Sequence, residues 1–257
     1  MTEQEYRKAE GVNKSVLWEM RKSPAHYKYL LNHPAEDTTA LHFGRALHSA
    51  VLTPRAFKRD FVIAPDVDRR TKAGRDTWMA WKESLPDGAE ELSAEDAQII
   101  AEMVKTIRRN KDAMNLLRRT RREVPIFWND QETGLRCKCR IDALSSSAAV
   151  DLKTTTDASS RAFQRDAIKY GYHVQAAHYL NGIETAKKKK PDWYFIAIEK
   201  AKPYAVHIFR ASEQFIEYGA YVRDELMETV KRCMESDTWE SYPIERLDAP
   251  EWALEEV

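Results

Sequence analysis

Residues 135–154 run Leu135-Arg136-Cys137-Lys138-Cys139-Arg140-Ile141-Asp142-Ala143-Leu144, then Ser145-Ser146-Ser147, then Ala148-Ala149-Val150-Asp151-Leu152-Lys153-Thr154. Alternation of apolar and polar side chains is the mark of a β-strand, whose successive side chains point to opposite faces. On the first strand Leu135, Cys137, Cys139 and Ile141 share one face, and Arg136, Lys138, Arg140 and Asp142 share the other. On the second, Asp151 and Lys153 point one way while Val150 and Leu152 point into the core. Two carboxylates and a lysine therefore converge on one polar face of a hairpin otherwise lined with arginine and lysine. Such a set suits hard-cation chemistry. Magnesium takes oxygen ligands, commonly one or two carboxylates plus water and substrate phosphate, and such ions stabilise both the attacking and the leaving oxygen of a phosphodiester. A plainer account pairs Asp151 with Lys153 or Arg140 as cross-strand ion pairs.

Working outward, Glu123–Trp128 also alternates, so residues 123–154 read as an antiparallel meander. Upstream, apolar spacing predicts two short helices over 15–31 broken at Pro24, a helix from Thr39 to about Leu52, one around Thr77–Ser84 in an otherwise irregular 55–92, and one beginning at a Ser93-x-x-Asp96 cap. Downstream, a helical region over 160–187 breaks near Gly171, and strands at Trp193–Glu199 and Tyr204–Arg210 precede a helix from about Glu213 to Met234. With no repeat and no long linker, the chain reads as a single α/β domain over 1–257: a core at about 39–235, a helical N-terminal elaboration and an acidic tail at about 240–257.

Composition narrows the classes. The chain has 257 residues, 43% hydrophobic and 32% charged, which excludes a wholly disordered chain and supplies a core that needs no staple. Three cysteines argue against a disulfide framework, and Cys137 and Cys139 read as core. No apolar run suits a membrane helix and the first residues lack a secretory signal, so a cytoplasmic protein without membrane association is expected. Net charge is zero, but residues 105–122 hold eight bases against Asp112 alone, and Arg55–Arg75 is also basic. These stretches are either solvated faces or contacts for a polyanion. There is no Walker A pattern and no G-x-S-x-G elbow, so ATPase and serine-hydrolase chemistry are not expected.

An aspartate ending a strand, a short hairpin and Asp151-Leu152-Lys153-Thr154 together resemble the PD-(D/E)XK nucleases. Gly44-Arg45-Ala46-Leu47-His48 looks like the upstream G-x-x-x-H motif of the RecB-like branch, and Gln175-Ala176-Ala177-His178-Tyr179 looks like its downstream Q-x-x-x-Y motif. The opening Gly11-Val12-Asn13-Lys14-Ser15, with Ser23-Pro24-Ala25-His26-Tyr27, is similar to the start of RecE-type (exonuclease VIII-like) domains. The resemblance implies a restriction-endonuclease-like mixed sheet flanked by helices. It also implies a magnesium site, with manganese substituting, formed by His48, Asp142, Asp151 and the main-chain carbonyl of Leu152. Glu123 is a further candidate ligand, or a solvated strand-end charge. Lys153 would position the attacking water. Gln175 and Tyr179, four residues apart on one helical face, would hold that lysine or a DNA phosphate; Arg45 and Arg140 are candidate phosphate contacts. Gly44 would permit close approach of another element.

The implied activity is ATP-independent 5′→3′ resection of linear double-stranded DNA, leaving 3′ single strands for recombination by annealing. A single-strand annealing protein and a ring-shaped homotetramer are the implied partners. A structure-specific endonuclease and a non-catalytic DNA-end-binding scaffold of the same fold are the alternatives.

Overall fold

The computed structural model describes Met1, residues 3–33 and residues 36–250. The N-terminal elaboration comprises α1 (Glu3–Lys8), α2 (Lys14–Glu19) and α3 (Pro24–Asn32). Next come α4 (Thr39–Leu52), α5 (Pro54–Asp60), β1 (Phe61–Ile63), α6 (Lys72–Glu83), β2 (Glu90–Leu92), α7 (Ala94–Arg109) and α8 (Lys111–Leu117). The meander is β3 (Arg121–Asn129), β4 (Arg136–Leu144) and β5 (Ala148–Thr155). It is followed by α9 (Ser160–Lys169), α10 (Tyr172–Lys187), β6 (Asp192–Glu199), β7 (Val206–Arg210) and α11 (Glu213–Ser236).

β3 to β7 form one mixed sheet in sequence order, antiparallel except for the parallel pair β5–β6. The crossover between those two carries α9 and α10, as parallel strands require. Both faces of the sheet are covered. On one face, Leu17 of α2, Tyr27 of α3, Val174 and Ile183 of α10 and Met227 of α11 pack on Ile126, Cys139, Ile141 and Phe195. On the other, Leu47 of α4, Ile100 and Met103 of α7 and Leu117 of α8 pack on Val150, Leu152, Ile196 and Ile198. This is the α/β, helix-flanked mixed sheet expected from the sequence.

Local chemistry places the helices. Ser93 Oγ accepts from Asp96 N at 3.0 Å, capping α7 as the sequence predicts. Gly171 sits at φ +67 and divides α9 from α10; a Cβ there would also lie 2.7 Å from the Trp18 ring. Gly182 brings α10 flat onto β3, since a Cβ would meet Trp128 at 2.6 Å.

The structure departs from the sequence reading in four places. Residues 55–92 are not irregular: α5, the parallel pair β1–β2 and the longer α6 occupy them, and three-residue strands are too short to announce themselves by alternation. α8 also arises in the basic stretch, capped by Asn110, whose side chain accepts from Ala113 N at 2.9 Å. Gly44 is not a close-packing glycine, because a Cβ there would meet nothing within 4 Å. The acidic tail begins packed: Trp239 stacks on Tyr27 with centroids 5.6 Å apart, and Ala25 N donates to Glu240 O at 3.0 Å. The acids at 251–257 lie outside the described residues.

Candidate active site

The site grows from a fork in the sheet. β3 and β4 pair along their length, but β4 and β5 pair only at Ala143–Val150 and Leu144–Ala149. Asp142 and Asp151 are the first residues beyond the last pair, one on each prong. Parting strands strand backbone donors, and Asp142 answers one of them: its Oδ2 accepts from Leu152 N at 2.8 Å. Because a strand residue points its N–H and C=O to the same side, the Leu152 carbonyl also faces the fork. The open edge of β4 is taken by the N-terminal segment, with Val12 N donating to Arg136 O at 2.8 Å and Lys138 N donating to Val12 O at 2.9 Å.

His48 reaches the fork from α4. Its Nδ1 lies 3.3 Å from Asp142 Oδ2, close to the ~3 Å that separates neighbouring ligands of an octahedral magnesium ion. Burial pushes the Asp142 carboxyl above its ordinary pKa; the nearby Asp151 adds to this, and His48 opposes it. Asp151 is buried, with Oδ2 in an ion pair 2.6 Å from Lys153 Nζ. Gln175 ties the pair together: its Oε1 accepts from Lys153 Nζ at 3.0 Å and its Nε2 donates to Asp151 Oδ1. Burial disfavours the Lys153 ammonium, but Asp151, Tyr172 and Asp142 outweigh it and hold the lysine above its ordinary pKa.

The predicted centre thus falls into one place: His48, Asp142, Asp151, Lys153, Gln175 and Tyr179 all line a cavity of about 1370 Å³. Tyr179 stands edge-on to Trp193 at 5.6 Å. The donor chemistry fits a hard divalent cation: two carboxylates, a carbonyl and an imidazole. The side chains are not gathered tightly, however. Among the described residues no three His, Cys, Asp or Glu side chains surround a common point closely enough to hold a metal. Asp151 is turned toward Lys153 and Gln175 instead.

The remaining predicted residues sit around a smaller lobe of about 470 Å³, which shares His48, Asp142, Arg140 and Tyr6 with the larger cavity. Glu123 falls between the Arg122–Ala143 and Val124–Ile141 pairs, at φ +48, where the strand kinks and the pairing is interrupted. Its Oε2 is 2.8 Å from Arg140 Nε. Arg45 is engaged by Asp37 at 2.5 Å and by Glu90. Lys138, expected on the phosphate-facing side, is buried and donates to the carbonyls of Tyr6, Arg7 and Ala9, fastening α1 to β4.

Two residues escaped sequence reasoning. Tyr172 places its ring 4.7 Å from Lys153 Nζ; its position three residues before Gln175 on α10 puts it on the same face and was the available signal. Lys14, from α2, lines the same cavity, and nothing local in the sequence ties it to residues 140 positions away. A basic ridge runs from the end of α7 to the start of β3. Arg108, Arg109, Lys111, Arg118, Arg119 and Arg121 are all exposed, and none makes an ion pair among the described residues. Arg121 pairs with Leu144, two residues along β4 from Asp142, or roughly 7 Å of strand.

Over residues 14–247 the chain matches the family described as PDDEXK-like domain of unknown function (DUF3799). Among solved structures it is similar to the crystal structure of a candidate exonuclease from Eubacterium rectale. The TM-score is 0.65 and the identity 15%, over 95% of this chain and 96% of that one; at that identity the likeness is one of fold. A second structure, SSO0001, aligns at a TM-score of 0.31 with 10% identity, over 76% of this chain and 87% of that one, and carries no argument. No curated protein matches the sequence significantly. Among the described residues no helix is long and apolar enough to cross a membrane.

Proposed function

The chain belongs to the PDDEXK-like domain family DUF3799, and from that premise we propose that it is a divalent-metal-dependent nuclease that degrades linear double-stranded DNA from its 5′ ends. The observation that carries this reading is the fork: Asp142 and Asp151 on parting strands, with Lys153 held against them by Gln175. The basic ridge supports a polyanionic substrate, because a run of exposed, unpaired bases is a ready contact for phosphates.

The residues divide the labour. Asp142, Asp151, the Leu152 carbonyl and His48 would hold the cation. When bound, it would polarise the phosphate and lower the pKa of an attacking water. Lys153, charged at neutral pH, donates hydrogen bonds; it orients that water and offsets the charge growing on the phosphate oxygens. Gln175 fixes the lysine's direction, since its carbonyl end faces the ammonium and its amide end faces Asp151. Magnesium is the proposed ion, with manganese as substitute. The proposed setting is recombination beside a single-strand annealing protein, with the chain assembled as a ring-shaped homotetramer.

The test is cleavage in magnesium of linear duplexes labelled at the 5′ or the 3′ end, with covalently closed circles alongside and Lys153→Ala as the blank. Early release of 5′ label as mononucleotides, with circles intact, is the expected result. Cut circles would replace this reading with an endonuclease. Binding without cleavage in either ion would leave a DNA-end scaffold and remove the mechanism.

A further inference from the structure

Two of the lysines that line the cavity beside the fork stand in unlike circumstances. Lys153 is neutralised by Asp151 at 2.6 Å. Lys14 has no carboxylate within ion-pair distance among the described residues; its Nζ donates one hydrogen bond, to the carbonyl of Tyr170, and lies 5.5 Å from the Trp18 ring. Its backbone is held from both sides: Val12 is bridged to β4, and the Asn13 side chain accepts from Val16 N at 3.0 Å at the start of α2. The lysine is thus presented from a fixed wall of the concavity that also contains Asp142, Asp151 and Gln175.

Such a placement is electrostatically incomplete. Close surroundings and the neighbouring Lys153 charge push Lys14 down to about 7, with Asp151 and Glu19 working the other way. An ammonium held in a concavity without a counter-charge is unfavourable until an anion arrives to share it. Every nucleotide passing the fork brings such an anion.

On the nuclease reading, we propose that Lys14 is a substrate-binding residue whose ammonium grips a DNA phosphate on the cavity wall formed by α2. The phosphate supplies the counter-charge that the protein withholds. Lys14 thereby helps to set how the strand lies against the fork, and the opening Gly11–Ser15 stretch serves to place it.

The test compares the full chain with Lys14→Gln, which can still donate to Tyr170 O but carries no charge, and with Lys14→Arg, which keeps both. Affinity for a fluorescent linear duplex is measured across salt concentrations with calcium in place of magnesium, and kcat and KM are measured in magnesium. Loss of one phosphate contact should lower the slope of log affinity against log salt by about 0.9 and weaken binding about eightfold near 0.1 M salt. Lys14→Gln should show both effects, with KM rising far more than kcat falls, and Lys14→Arg should restore both. An unchanged slope in Lys14→Gln would overturn the proposal while leaving the nuclease reading intact. So would equal defects in both variants accompanied by lower melting temperatures, which would mark Lys14 as a structural tie to Tyr170. A wild-type chain that binds no duplex and cleaves none would remove the nuclease reading and this proposal with it.

Discussion

Replacing Gln175 with methionine keeps the length of the side chain and removes both ends of its bridge. The Lys153 ammonium loses an acceptor at 3.0 Å and Asp151 Oδ1 loses its amide donor. Hydrogen bonds to charged groups contribute about 1.5–3 kcal/mol each, so about 3–6 kcal/mol of interaction is removed before water in the cavity replaces part of it. The Lys153–Asp151 pair survives at 2.6 Å, so the lysine is misdirected rather than lost. A cost near one such bond, about 2 kcal/mol, should reach the transition state, which is roughly thirtyfold in kcat. KM for DNA should stay within about twofold, because Gln175 is buried and both ends of its amide are engaged by the pair. The assay is steady-state cleavage of end-labelled duplex by Gln175→Met, Lys153→Ala and the double variant. If Gln175 acts through Lys153, the double variant is no slower than Lys153→Ala alone. A tenfold rise in KM with kcat intact, or fully additive losses, would refute this and make Gln175 a phosphate contact.

Three further outcomes follow from the geometry. Burial raises the Asp142 pKa, so its contribution to stability is complete below the unfolded value of about 3.9 and is lost as pH rises through the folded value. Without divalent cation, Asp142→Asn should therefore melt higher than wild type at pH 8, by a margin that shrinks as the pH falls toward the ordinary carboxylate value of about 3.9. Magnesium at about a hundred times its Kd should add about 2.7 kcal/mol, roughly 5–10 °C, to wild type alone; a pH-independent margin would contradict the burial argument. Lys138→Met strips the donor from the Tyr6, Arg7 and Ala9 carbonyls. Trypsin cleavage after Arg7 and Lys8 should then speed up about fivefold for each kcal/mol lost, and an unchanged digest would show that α1 is held by other contacts. The Arg118→Ala, Arg119→Ala, Arg121→Ala triple variant should lower the salt slope of DNA binding by up to about 2.7 while sparing kcat. A slope equal to wild type would exclude the ridge from the DNA path.

How much of this was legible in the sequence depended on distance along the chain. Local patterns carried the meander, the Thr39–Leu52 helix, the cap at Ser93 and the break at Gly171, because alternation, apolar spacing and φ preference act over a few residues. The motif residues His48, Asp142, Asp151, Lys153 and Gln175 were recognised from their order and meet in one cavity. The partners of the bases were not legible. Arg45 and Lys138 read as phosphate-facing, yet Asp37, Glu90 and three main-chain carbonyls of α1 claim them. Those acceptors arrive from other segments, and no spacing rule records them. For the same reason Lys14 could be quoted within a motif without any indication that it shares a wall with Asp151.

The fork explains why one residue answers to two demands. Where β4 leaves β5, the Leu152 N–H has no strand to meet, and Asp142 Oδ2 supplies the acceptor while its carboxylate stays in the cleft. Fold and chemistry therefore share a side chain, and the choice of substitution decides which is tested. Asp142→Ala leaves a buried N–H unpaired, costing about 1–3 kcal/mol, and removes the ligand at the same time. Its inactivity would be ambiguous if the melting temperature fell with it. Asp142→Asn keeps an acceptor for Leu152 N and removes only the charge, so its loss of cleavage reports on cation chemistry. If Asp142→Asn cleaves DNA at the wild-type rate while Asp142→Ala is unfolded, Asp142 is a backbone brace, and the catalytic reading of the fork fails.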